Sequence, residues 1–121
     1  MILILTYKKS KLFKQNIIMA KMTVIYKTPK DVAFFEKHYF EVHVPLAKKL
    51  PGLLKYEINE GSIVSLTGHS DVYRVANLYF ESMESMMSAF KSEIGQECAV
   101  DRRIFANDDE VQIYVYDTKS L

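Results

Sequence analysis

One histidine, His43, stands where an imidazole can do acid–base chemistry. It follows Tyr39 by four positions, so on a helix the imidazole and the phenol share one side. Histidine changes its charge near neutral pH, which suits a general base or a hydrogen-bond donor to a bound carbonyl or phenolate. We therefore predict His43 and Tyr39 as catalytic residues, with a sheet tyrosine such as Tyr56 or Tyr79 orienting the substrate.

A purely structural role for His43 is the alternative that the residues leave open. Pro45 has no amide hydrogen, so the carbonyl of Glu41 loses its helical donor. His43 would then satisfy that carbonyl or another backbone group and stabilise the break in the helix. Its protonation state also stays open, because unpaired carbonyls favour the imidazolium and burial favours the neutral ring.

Other patterns for catalysis or metal binding are missing from the sequence. On a regular helix His38 projects about 140° away from His43, so the two cannot hold one metal ion. His69 falls in a polar loop, and there is no Cys/His cluster, HExxH, GxSxG, P-loop or GxGxxG. A metal site, a serine hydrolase, an NTPase and a dinucleotide fold are thus not expected. Haem stays open, because one histidine suffices as its axial ligand.

The elements that must position these residues follow from hydrophobic periodicity. A helical stripe carries Tyr39 and ends at Pro45, which we expect to kink the helix and open a second short helical turn. Ser82, a residue type preferred at helix N-caps and followed by Glu84, predicts the start of a second helix, which Gly95 interrupts before a short continuation. Four runs have strand character, and these are residues 22–27, 53–60, 71–81 and 111–116.

The resulting order is β-α-β-β-α-β. It predicts an α+β ferredoxin-like sandwich, a four-stranded antiparallel sheet with two helices on one face. The strands carry apolar or aromatic residues on both faces, so something should cover the second face. A homodimer formed by packing sheet on sheet is the economical cover.

Bulk composition sets the remaining limits. With 121 residues the chain suits one domain, and its net charge of +1 gives no pull toward nucleic acid or a membrane surface. No apolar run is long enough to span a bilayer, and a single cysteine, Cys98, favours a reducing, cytoplasmic location. We divide the chain into an N-terminal extension, residues 1–21, and a domain, residues 22–121. The lysines of this extension are most simply a solvated tail before the domain, and a basic arm for a nucleic acid or membrane partner is the alternative.

Several local motifs occur in order along residues 22–117. They are Thr28-Pro29, Phe35, His38-Tyr39, Glu41-Val42-His43, Pro45-Leu46, Leu50-Pro51-Gly52-Leu53, Tyr56, Leu78-Tyr79-Phe80-Glu81-Ser82, Ser92-Glu93, Gly95-Gln96, Phe105-Ala106 and Asn107-Asp108. Together these motifs resemble the EthD family of the dimeric α/β-barrel superfamily. The resemblance implies a small homodimer with the site on the aromatic-rich helix. It adds Phe35 and His38 to Tyr56 and Tyr79 as expected substrate-binding residues.

The resemblance also implies a range of functions. Some EthD proteins are linked to bacterial degradation of ethyl tert-butyl ether, and the superfamily includes cofactor-free quinol monooxygenases, lactone isomerases and haem-degrading enzymes. We therefore expect a cofactor-free oxidoreductase, monooxygenase-like, or isomerase-type enzyme acting on a small hydrophobic oxygenated compound in a catabolic pathway. The alternatives are a non-catalytic ligand-binding or accessory protein of an oxidative degradation pathway, and a haem-handling member.

Overall fold

A computed structural model describes residues 19–121, and the predicted order of strands and helices is confirmed within them. The first half contains strand β1 (Ala20–Lys27), helix α1 (Val32–His38), a π-helix (Tyr39–His43), helix α2 (Val44–Ala47) and strand β2 (Leu53–Ile58). The second half contains strand β3 (Val72–Phe80), helices α3 (Met83–Lys91) and α4 (Glu93–Phe105), a 3-10 turn (Asp108–Glu110) and strand β4 (Val111–Asp117).

The four strands form one antiparallel sheet in the order β2-β3-β1-β4. Val24 of β1 lies opposite Ala76 of β3 and Ile113 of β4, so these three side chains share the face that the helices cover. This is the ferredoxin-like α+β fold that the sequence predicts.

The core lies between that face and the helices. Its largest fully buried side chains are Phe35, Tyr39, Phe80 and Met86. Tyr26 of β1 meets Phe35 and Tyr39 edge-on, at centroid distances of 5.4 and 5.9 Å. Such edge-to-face contacts favour one arrangement of the rings over others, so the aromatic cluster fixes the helix layer against the sheet.

The first strand begins at Ala20, two residues before the predicted start at Met22. Thr118 contacts the residue just before β1, because its backbone N–H and its hydroxyl both donate to the carbonyl of Met19, at 2.7 and 2.9 Å. Residues 1–18, with the lysines behind the basic-arm reading, lie outside the described residues.

The sequence predicts a helix break at Pro45, but the chain stays helical through this proline, and the segment before it, Tyr39–His43, is a π-helix. The amide of Val44 donates to the carbonyl of Tyr39, five residues back, instead of four. Pro45 cannot donate to Glu41 and its ring crowds that carbonyl, which is a reason for the wider turn. Pro45 then falls in the first turn of α2.

The second helix breaks at Ser92 and not at Gly95, which lies inside α4. The Ser92 hydroxyl accepts from the amide of Gly95 at 3.1 Å, the usual capping contact at the start of a helix. A side chain at Gly95 would collide with the carbonyl oxygens of Ala89 and Phe90. The glycine is thus a point of close approach between α3 and α4.

Candidate functional site

A cavity of about 320 Å³ lies between the helices and the covered face of the sheet. Its wall is mostly apolar, with side chains from β1, β3, β4 and α4. His43 and Tyr56 contribute polar groups to this wall. A mostly apolar pocket with few convergent polar groups is the usual form of a small-molecule site.

His43 is held in this wall by a carboxylate that the sequence argument did not identify. Its Nδ1 lies 2.9 Å from Oδ2 of Asp101, which is buried on α4. His38 contacts the other oxygen of the same group, with Nε2 2.8 Å from Oδ1. The wider turn of the π-helix places residues five apart on one side, and both imidazoles therefore reach Asp101. The predicted divergence of His38 and His43, which assumed a regular helix, is wrong.

These contacts decide the tautomer of each imidazole. A carboxylate only accepts, so Nδ1–H of His43 and Nε2–H of His38 donate to Asp101. The Nε2 atom of His43 then carries the free lone pair, and it has no hydrogen-bond partner within residues 19–121. A histidine with one nitrogen fixed by a carboxylate and the other left open has the arrangement of a general base.

The charge state of His43 favours the same role. Burial lowers its pKa below the ordinary 6.5. The hydrogen bond and charge of Asp101 oppose that shift, while His38 and the guanidinium of Arg102 add to it. With its pKa lowered, the imidazole is neutral at pH 7 and its Nε2 can accept a proton.

Two phenols meet beside His43. The hydroxyls of Tyr39 and Tyr56 are 2.7 Å apart, and the Tyr39 ring lies 5.7 Å from the His43 ring. Burial raises the pKa of both phenols, so both keep their protons. Tyr56 is on the cavity wall and the fully buried Tyr39 is behind it. A ligand in this cavity would therefore meet Tyr56, with Tyr39 as its hydrogen-bond partner.

The structure does not bring the other predicted residues to the cavity wall. Phe35 is buried and stacks on Tyr39, with ring centroids 5.6 Å apart. Tyr79 points to the opposite face of the sheet, where its hydroxyl donates to Glu57 at 2.8 Å. His38 contacts Asp101 and is not among the residues that line the cavity. Of the six predicted residues, only His43 and Tyr56 line the cavity.

Sequence reasoning missed Asp101, which holds His43, and the α4 residues that line the cavity. The available signal was weak, an acidic residue four positions before Phe105 on an otherwise apolar face. Cys98 also lines the cavity, and burial raises the pKa of its thiol to about 11, so it is a protonated, apolar part of the wall.

Within residues 19–121, no group of three or more His, Cys, Asp or Glu is arranged to hold a metal ion. Over the same range, none of the helices has the length and apolar character needed to cross a membrane.

Comparison with known proteins gives one family. The model of the EthD domain matches residues 27–109. An uncharacterised 11.0 kDa protein in the thcB–thcC intergenic region of Rhodococcus erythropolis is 35% identical over 97 residues, covering 79% of this chain and 92% of that protein. An EthD family protein of known structure from Bacillus halodurans is 29% identical, with a TM-score of 0.75, covering 83% of this chain and 98% of that one.

More distant structures share the fold alone. A dimeric ferredoxin-like protein of unknown function from Bacteroides fragilis is 13% identical with a TM-score of 0.57, covering 83% of this chain and 96% of its own. A hydroxynitrile lyase from Passiflora edulis is 10% identical with a TM-score of 0.67, covering 85% and 95%. SnoaB, a cofactor-independent oxygenase from Streptomyces nogalater, is 11% identical with a TM-score of 0.58, covering 87% and 96%.

Proposed function

The chain belongs to the EthD family, and from that premise we propose that it is an enzyme that binds a small hydrophobic oxygenated compound and uses His43 as its general base. One observation carries the proposal. Nδ1 of His43 is fixed on Asp101 while Nε2 stays unpaired within residues 19–121, on the wall of an apolar cavity.

The first chemical step is a proton transfer. Nε2 of His43 takes a proton from an acidic C–H or O–H of the ligand, and Asp101 stabilises the imidazolium that forms. The Tyr56 hydroxyl, when it accepts from Tyr39, is free to donate to the oxygen on which negative charge develops. The ligand would thus be deprotonated and its anion stabilised by groups that the structure holds together.

Two fates of that anion fit the expected reaction classes. Return of the proton to a different carbon gives an isomer. Attack of the carbanion on dioxygen gives a hydroperoxide, and loss of water from it leaves a carbonyl in place of the CH₂ group. Neither route needs a resident cofactor. A hydroxynitrile lyase and a cofactor-independent oxygenase among the proteins of this fold support a catalytic role, though fold alone does not set the reaction.

A non-catalytic ligand-binding or accessory role in an oxidative degradation pathway is the second candidate. It is favoured by the two hydrogen bonds that His38 and His43 make to Asp101, which would stabilise the helix layer without any turnover. A haem-handling role is the third, because the Nε2 atom of His43 is available as an axial ligand. A Soret band on reconstitution with haem, lost in His43→Ala, would support it.

The exposed face of the sheet supports a homodimer as the assembled form. On β4, Tyr114 is 51% exposed and Tyr116 is 43% exposed, and a second copy packing sheet on sheet would cover both. A dimeric relative in fold is known from Bacteroides fragilis. We also propose a cytoplasmic location, because the single cysteine suits a reducing compartment.

Ligand screening by thermal shift tests the proposed function. Wild type and His43→Ala are each screened against quinols, phenolic polyketide mimics and small lactones. Each compound that raises the melting temperature is then assayed for turnover with and without dioxygen. We expect a ligand whose turnover is lost in a folded His43→Ala. Turnover that survives in His43→Ala would show that His43 is not the general base. Saturable binding without product would favour the accessory role.

A further inference from the structure

We infer that the ligand of this cavity is a hydrophobic anion, whose negative group lies against Arg102 and Arg103 while its apolar body fills the rest. The inference rests on the proposed function, since it takes the cavity beside His43 to be the ligand site. It goes further by assigning the charge of the ligand and the end of the cavity where that charge is held.

The charge of the cavity wall is the first observation. Among described residues, the wall includes two guanidinium groups, from Arg102 and Arg103, and no aspartate, glutamate or lysine. The rest is mostly apolar, with Met22, Val24, Leu50, Leu78, Phe90 and Ile113 among the lining residues. A low-dielectric pocket with charge of one sign concentrates ligands of the opposite sign.

Helix α4 places the two cations together. Gly95, Cys98, Ala99, Arg102 and Arg103 all line the cavity, and their spacing of three, one, three and one residues puts them on one side of the helix. The small residues come first and the arginines lie in the last turn. The α4 side of the cavity therefore changes from apolar to cationic along the helix axis.

The guanidinium groups of Arg102 and Arg103 differ in exposure and in the contacts that they already make within the protein. The Arg102 side chain is 12% exposed and donates to the carbonyl of Ala106 at 2.8 Å and to Asp108 at 2.7 Å. Arg103 is 58% exposed, and its ion-pair contact within residues 19–121 is at 3.4 Å, from Nε to Asp108. Arg102 thus supplies a fixed positive field, and Arg103 has donors available for a carboxylate or a similar anion.

Arginines in the last turn of a helix also interact favourably with its free carbonyl groups, and that alone would explain their presence. A structural role of this kind does not discriminate between ligands. A preference for a charged ligand over a neutral one of the same shape therefore separates the two explanations.

A pair of ligands matched in size tests the inference. Binding of 2-naphthoate, an anion at pH 7, and 2-naphthamide, its neutral counterpart, is measured by calorimetry on wild type, Arg103→Gln and Lys37→Gln. Lys37 is exposed on α1, so Lys37→Gln removes one positive charge at a position outside the cavity wall. We expect wild type and Lys37→Gln to bind the anion about tenfold more tightly, and Arg103→Gln to lose most of that preference while keeping its affinity for the amide.

A second readout uses His43 in wild-type protein. A bound anion near Arg102 offsets the guanidinium that disfavours the imidazolium, so the pKa of His43 followed by NMR should rise with 2-naphthoate and stay unchanged with 2-naphthamide.

The outcomes separate the inference from the proposed function. Equal binding of acid and amide by wild type would overturn the charge preference and leave the cavity as the ligand site. A preference for the acid that persists in Arg103→Gln would overturn the assignment to Arg103. Binding of neither compound would count against both the inference and the proposed ligand site.

Discussion

His38 and His43 donate to opposite oxygens of one carboxylate because the helix between them makes a π-turn. The two distances to Asp101, 2.8 and 2.9 Å, are those of good hydrogen bonds. Residues five apart on a regular helix would diverge, so the pair exists only through this irregular turn. π-Turns of this kind occur frequently at functional sites.

The first prediction concerns Asp101. Asn keeps the size of the side chain but offers one acceptor and a donor group that faces an imidazole N–H. We expect Asp101→Asn to lower kcat about 10- to 100-fold through loss of His43 orientation, and to cost about 1–3 kcal/mol of stability. Steady-state kinetics and urea unfolding measure the two effects. The control Asp109→Asn, on an exposed turn residue, should change neither, and full activity in Asp101→Asn would contradict the positioning role.

The second prediction concerns pH. His43 faces Asp101, His38 and Arg102, and its folded pKa lies below the ordinary 6.5. Between those two values the unfolded chain binds more protons, so the free energy of unfolding should rise with pH across this window and fall as the solution becomes more acidic than pH 6.5. The kcat/KM should also rise with pH through the folded pKa and then level off.

Unfolding in urea at several pH values between about 5 and about 8 checks the stability profile. His43→Gln should remove the contribution of His43, and His69→Gln, in an exposed loop, should leave the profile unchanged. A wild-type profile that His43→Gln does not alter would show that His43 is not the group responsible.

The third prediction concerns the two phenols. Tyr56→Phe leaves the buried Tyr39 hydroxyl without its partner and should cost about 1–3 kcal/mol. Tyr39→Phe should cost less, about 0.5–1.5 kcal/mol, because the Tyr56 hydroxyl is at the cavity wall and can be hydrated instead. In the double variant no hydroxyl is stranded, so its loss should be smaller than the sum. A double-mutant cycle from urea unfolding measures this, and strict additivity would argue against the bond.

The fourth prediction concerns Gly95. A methyl group there meets the carbonyl oxygens of Ala89 and Phe90, which are backbone atoms and cannot rotate away. We expect Gly95→Ala to destabilise the protein by about 1–3 kcal/mol, although alanine is the better helix former. Thermal unfolding of Gly95→Ala measures this loss, and Gln96→Ala, at the next and exposed position of the helix, is the control. A stabilised Gly95→Ala would show that α3 and α4 can separate without cost.

The fifth prediction concerns assembly. A charge placed in the exposed sheet face would be buried without a partner if two sheets pack together, so Tyr114→Glu should shift a dimer toward monomer. Val100→Glu places the same charge on an exposed apolar position of α4 and should leave the molar mass of the assembly unchanged. Light scattering after gel filtration measures the molar mass of both variants. Dimers in both variants would place the interface elsewhere.

The parts of the structure that depend on local pattern could be predicted from the sequence. Alternation located the strands, Ser82 marked the start of α3, and Pro45 marked the first turn of α2. These features are set by residues close in sequence, and short-range sterics and hydrogen bonding decide them.

The site could be predicted only in part. His43 and Tyr56 were identified because an imidazole and a phenol near a helix break have few purely local explanations. Asp101 was missed because it is 58 residues from His43 and meets it only in the folded chain. The π-turn was missed because a 3.6-residue period was assumed throughout. Tyr79 was misplaced because alternation in a strand does not tell which face the helices cover.

The sharing of Asp101 has a consequence for the return of protons to water. A base at the wall of a filled cavity cannot exchange with solvent through the ligand that blocks it. His38 is 16% exposed at its side chain and contacts the far oxygen of the carboxylate that holds His43. Because Nε2–H of His38 donates to Asp101, this end of the network has no lone pair for the proton that His43 takes up at Nε2. That proton therefore leaves by the cavity side, to the bound ligand or to water that enters after the product has gone.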